Sequence, residues 1–124
     1  MAEADALNAE SKGVEVNTIV QFQNKFVDFT GYIDRAVVLH LEFWGKLLDE
    51  SPDISKIILL GSKITNTVAL VTKTFSSLQE INPNHIACLE IYGNFLKEVV
   101  HDDQESSKIL EKAEYISKSN RANT

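Results

Sequence analysis

Between Ile57 and Leu78 the apolar positions fall at alternating intervals of four and three: Ile57, Gly61, Ile64, Val68, Val71, Phe75 and Leu78. A strand turns successive side chains to opposite faces, so this spacing describes a helix, and a 3.5-residue period held over three heptads is that of a coiled-coil seam. The β-branched residues in the run do not argue against helix, because their propensity cost is small beside a periodic stripe of this length.

A second stripe precedes it. Phe22, Phe26, Phe29, Ile33, Ala36, Phe43 and Leu47 follow the same alternation and miss a beat only at His40. Beside them runs another row, Val27, Thr30, Val37, Leu41, Trp44 and Leu48. A face this wide requires more than one neighbour. The segment reads as a helix over about 17–48, with Gly31 and Gly45 the points where it would bend or fray.

Turn chemistry divides the remainder. Ser51-Pro52-Asp53 is a helix-start signal, combining a capping side chain, a proline suited to the first turn and an acid at the positive dipole end. Asn82-Pro83-Asn84 repeats that punctuation, and Asp102 with Glu105 three residues on resembles a capping box. The expected helices are therefore 17–48, 52–80, 83–100 and 103–118, within one domain over 17–118. Residues 1–16 are read as a mobile acidic tail broken by Gly13, and 119–124 as a frayed end. Connections this short set sequential helices side by side and antiparallel, so the fold class is all-α: an antiparallel helical bundle.

The totals exclude several functions. With 12 basic residues against 18 acidic ones the formal charge is -6, so a nucleic-acid backbone or an anionic membrane would be repelled by the molecule's field. Cys88 is the one cysteine, which rules out an intrachain disulfide and makes a reducing, cytoplasmic setting the simpler expectation. The first residues carry no basic segment or apolar run of a secretory signal. Uninterrupted apolar stretches such as Ile57-Ile58-Leu59-Leu60 are far below the roughly 20 residues of a membrane span, so direct insertion is not expected.

The stretch Ile81-Asn82-Pro83-Asn84-His85-Ile86, then Leu89, Tyr92-Gly93, Phe95-Leu96 and Ile109-Leu110-Glu111-Lys112-Ala113, resembles one tetratricopeptide-type helix pair at the C-terminal end. More narrowly it resembles the TmcB/TmcC-type repeat region of large protist multi-pass membrane proteins that often also carry a PAS sensor domain. The resemblance implies a parent protein that is membrane-associated, and it brings no settled biochemical activity with it. The residues it assigns to packing within the helix pair are Leu89, Tyr92, Gly93, Leu96, Ser106 and Ala113. Small side chains seven apart, here Ser106 and Ala113, would let the second helix pack closely on the first. Counted from Gly93 they fall one place late, as though the Val100-His101-Asp102-Asp103 turn held an extra residue. A fainter echo runs from Pro52 to Gly61. Fewer than three repeats do not bury a solenoid's core alone, so the chain is expected to lean on a second copy or on neighbouring domains.

Candidate chemistry is sparse. His85 and Cys88, three apart on a helix, have zinc-compatible spacing, but a structural zinc site needs four ligands and no second pair lies near. His101-Asp102-Asp103-Gln104-Glu105 concentrates an imidazole and carboxylates, yet lacks the glycine of a calcium loop and reads better as a helix start preceded by a helix end. His40 reads as a partly buried histidine within the bundle. No nucleophile elbow or phosphate-binding loop is present.

These observations point to a noncatalytic helical protein-interaction or signal-coupling module that needs no cofactor or metal. The expected seam is Phe22, Phe26 and Phe29 opposite Ile57, Ile64, Val68, Val71, Phe75 and Leu78. The competing expectation is a small-molecule-sensing bundle with a cavity beside the aromatic first helix.

Overall fold

The computed structural model describes the backbone from Ala2 to Ala122 and the side chains from Glu15 to Ala122. The described residues form only helices: α1 (Ala2–Leu47), α2 (Ile54–Ile81), α3 (Ile86–Phe95) continued by one π-turn (Leu96–Val100), and α4 (Asp103–Ala122). Two antiparallel hairpins result, α1 with α2 and α3 with α4.

The α1 boundary differs from the expected tail. Residues 2–16 are continuous with the helix, because Ala2, Ala4, Ala6, Leu7 and Ala9 are good helix formers and Gly13 alone subtracts only about 1 kcal/mol. Gly31 and Gly45 likewise sit inside an unbroken helix. At the other end α4 runs through Ala122, past the expected stop near residue 118. Met1 and residues 123–124 of the expected tails lie outside the described residues.

Helix starts are shifted by competition between caps. Asp53, not Ser51, caps α2, its Oδ1 accepting from the Lys56 N–H at 3.2 Å. His85 caps α3, its Nδ1 accepting from the Cys88 N–H at 3.1 Å. Asn82 instead ends α2 and folds the connection, its side-chain oxygen accepting from the Asn84 N–H. Asp102 caps α4 as its position beside Glu105 suggests, accepting from the Glu105 N–H at 3.1 Å.

The hairpins share a core of Phe22, Phe29, Val71, Phe75, Leu78, Leu89, Tyr92, Phe95 and Leu96, closed by Ala113. Rings chain it together. Phe29 lies 6.1 Å from Phe75, and Phe75 stacks on Tyr92 at 3.8 Å between centroids and 15° between planes. The Tyr92 hydroxyl also donates to Thr72 Oγ1 of α2 at 3.4 Å.

α2 bears on the expectation drawn from uninterrupted apolar runs. It is long and apolar enough to cross a membrane by length and composition, which the search for uninterrupted apolar runs overlooked. The hydroxyls that interrupt those runs are absorbed locally: Thr65, Thr67 and Thr74 donate to carbonyls four residues back at 3.0, 2.8 and 2.7 Å. A hydroxyl satisfied in this way adds little polarity to its helix.

Candidate interaction surface

α1 carries two apolar rows with different fates. The inner row, with Phe22 and Phe29 buried and Phe26 half-buried, packs on α2 through buried Val71, Phe75 and Leu78 and half-buried Ile57, Ile64 and Val68. The expected seam is thus internal to the chain, and it joins α1 to α2. Burying each large apolar side chain of this kind contributes roughly 1.5–3 kcal/mol.

The outer row is largely exposed. Val27 is 66%, Leu41 69%, Trp44 59% and Leu48 82% exposed, and Val16 and Val20 continue the row toward the N-terminus. Its full course is Val16, Val20, Gln23, Val27, Thr30, Asp34, Val37, Leu41, Trp44 and Leu48, again at alternating intervals of four and three. The sequence reading identified the part from Val27 onward. The earlier part was hidden by polar Gln23 and Asp34, although the spacing extends through them.

Gly31 and Gly45 lie along one edge of this row, and a methyl group added at either would meet nothing within 4 Å. Interior helix glycines cost about 1 kcal/mol each relative to alanine, and nothing in this chain uses the space above these two. Gly93 is the opposite case. A Cβ there would lie 2.6 Å from Leu110, so only glycine lets α4 approach α3 so closely.

That approach depends on the π-turn. Counted along an α-helix, Ser106 and Ala113 arrive one residue late, and the wider turn at Leu96–Val100 takes up the surplus residue. His101 then ends the helix in the left-handed conformation at φ 63°, and the N–H groups of His101 and Asp102 both donate to Leu96 O. Ser106 and Ala113 are thereby returned to the interface and buried, with the Ser106 hydroxyl donating to Gly93 O at 2.7 Å. Leu89, Tyr92, Gly93 and Leu96 are buried on the facing side.

A cleft of about 500 Å³ opens where the outer row passes the π-turn, lined among others by Val37, His40, Trp44, Ile64, Val99 and His101. His40 Nε2 is buried there with no hydrogen-bond partner. Burial, and secondarily the charge of His101, hold the His40 imidazole below its ordinary protonation range.

The other titratable candidates are committed elsewhere. The His85 ring lies tilted at 4.6 Å from that of Phe22 and caps α3, well along α1 from His40. Cys88 is fully buried, and burial pushes its thiol up to about 11, far from the thiolate that metal binding requires. Among the described residues no group of three or more histidine, cysteine or acidic side chains is placed to hold a metal.

A tight glycine-mediated helix pair stacked on a longer hairpin is the geometry of a helical repeat, and the sequence agrees over nearly its whole length. Residues 2–123 match the family described as TmcB, TPR repeats. The chain belongs to that TmcB repeat family. Within it, the sequence is 37% identical over 75 residues to Tiny macrocysts protein C of Dictyostelium discoideum and 38% identical over 74 residues to Tiny macrocysts protein B of the same organism. Each match takes in 60% of this chain and 5% of the relative, so the chain spans a small fraction of those proteins. No solved structure matches it. As a TmcB-type repeat the chain is an all-α module of a kind suited to protein interaction.

Proposed function

We propose that the chain is a noncatalytic docking and signal-coupling module whose outer row on α1 receives a helix, supplied by a second copy or by a neighbouring domain of a longer protein. The observation that carries this reading is the exposed run Val27, Leu41, Trp44 and Leu48 on a helix whose other apolar row is already packed. Monomeric proteins rarely leave contiguous apolar patches beyond a few hundred Å² uncovered. The rings support the coupling part of this reading: Phe29, Phe75 and Tyr92 join α1, α2 and α3, a packed path by which a displacement of α1 would reach the α3–α4 pair. A soluble cytoplasmic segment of a membrane-associated parent is the setting we propose for it.

The test replaces Leu41 and Leu48 together by glutamate. Helicity and melting temperature should stay as in the parent chain, while binding of a hydrophobic dye falls severalfold. Loss of the fold in the double variant would place these side chains in the core and remove the docking reading.

A second reading has its own observation, the cleft with the unpartnered His40 Nε2 beside Trp44. It would take a small aromatic or aliphatic molecule carrying one hydrogen-bonding group. Titration with indole, followed by chemical shifts of Val37, Ile64 and Val99, tests it, and the absence of saturable shifts at those residues would exclude it.

A further inference from the structure

The outer row of α1 is self-complementary when it meets itself in reverse. Laid against an inverted copy about a point beside Gly31, each of its positions falls opposite another position of the same row, as the layers of an antiparallel coiled coil do. Val16 comes opposite Leu48 of the second copy, Val20 opposite its Trp44, and Val27 opposite its Val37. All six are at least 38% exposed in the single chain.

The polar positions agree with the same register. Thr30 falls opposite Asp34, so its hydroxyl, which otherwise turns back to the Val27 carbonyl at 3.1 Å, faces a carboxylate. Gln23 falls opposite Leu41, at the cleft where His40 Nε2 is buried without a partner, and brings a side-chain amide to it. Parallel, in-register pairing would set Asp34 against Asp34, two like charges inside an interface. Sliding the antiparallel pair by one heptad toward the C-terminus sets Asp34 against Val37 and leaves Val16 and Val20 uncovered.

Gly31 supplies an independent reason. In that register the twofold axis passes at Tyr32, one residue from Gly31 of each copy, so the open space above both glycines lies where the two backbones approach. Along the row, apolar surface on the order of several hundred Å² per chain becomes covered, comparable with the roughly 800 Å² per partner of a stable interface.

We infer that the helix received by α1 is α1 of a second copy, antiparallel and centred at Tyr32, beside Gly31. This rests on the docking reading above and names its partner.

Light scattering, Trp44 fluorescence and thiol pairing test it together. Trp44 is the only tryptophan, so its quenching by acrylamide reports directly on the row. The expected result is a dimer whose Trp44 is shielded and becomes at least threefold more quenchable on dilution to monomer. In a Cys88→Ser background, chains carrying Val20→Cys mixed with chains carrying Trp44→Cys should then form the mixed disulfide on mild oxidation. A dimer giving instead the Val20→Cys homodisulfide would overturn the antiparallel arrangement. A monomer with freely quenched Trp44 would overturn the second copy and leave the row open to a different helix. A monomer with shielded Trp44 would overturn both the pairing and the docking reading.

Discussion

The Ser106 hydroxyl reaches across from α4 to the Gly93 carbonyl of α3 at 2.7 Å, in a part of the interface closed to solvent. This bond and the missing Cβ of Gly93 fix how closely the two helices lie. Ser106→Ala should therefore lower stability by about 1 kcal/mol, the net worth of a buried neutral hydrogen bond, as read from the urea midpoint.

Gly93→Ala places a methyl group 2.6 Å from Leu110. Overpacking of this kind costs about 1–3 kcal/mol, against the roughly 1 kcal/mol that alanine returns in helix propensity. A net loss is expected, and combining the change with Leu110→Ala in a double-mutant cycle should show strong coupling. Additive effects would place Leu110 away from Gly93.

Phe75→Ala removes the ring stacked at 3.8 Å on Tyr92 and should cost about 3–5 kcal/mol by chemical denaturation. Tyr92→Phe keeps the stack and loses only the 3.4 Å bond to Thr72, so its effect should be under about 1 kcal/mol. The ratio of the two measures how far ring packing, as opposed to the hydroxyl, joins the hairpins.

His40 gives the fold a pH dependence whose sign is fixed by the direction of its shift. Because the folded chain holds the imidazole below its usual 6.5, the unfolded chain binds the proton more readily. The contribution of His40 is full above about pH 6.5 and is lost as the pH falls below it. The groups facing it across the cleft are His101 and Glu98. Comparing urea midpoints at pH 7.5 and 5.5 for the parent chain and His40→Gln isolates this part, and the variant should lose less stability on acidification.

Cys88, fully buried and with its thiol pushed up to about 11, should react with Ellman's reagent only on unfolding. One equivalent should appear in 6 M urea and almost none in buffer. Rapid reaction of the folded chain would mean that α3 is not seated as described.

The helical class was legible from two stripes, because a 3.5-residue period over Ile57–Leu78 fits no other regular structure. The outer row of α1 was legible in part, since Val27 to Leu48 already implied a second neighbour. Cap identities were not. Ser51, Asp53, Asn82 and His85 can all accept from a backbone amide, and which of them does so depends on where the packed stripes align the helix, a tertiary matter. The surplus residue before Ser106 was visible as a count, but its resolution into a π-turn depends on burying Ser106 and Ala113 against Gly93. The continuation of α1 to Ala2 was missed because one glycine was weighed above several alanines.

The surplus residue in the π-turn also says how this join accommodates change in chain length. The surplus lies on the outward edge of the turn, at exposed Lys97 and Glu98, while Leu96 is buried in the core and Val99 half-buried against it, so adding or removing one amino acid at that edge alters a bulge and leaves the buried side chains in place. Deletion of exposed Lys97 should relax the bulge to ordinary helical pitch and leave the α4 seating intact. Relatives of different length at this point can then carry the same pair of helices in the same embrace.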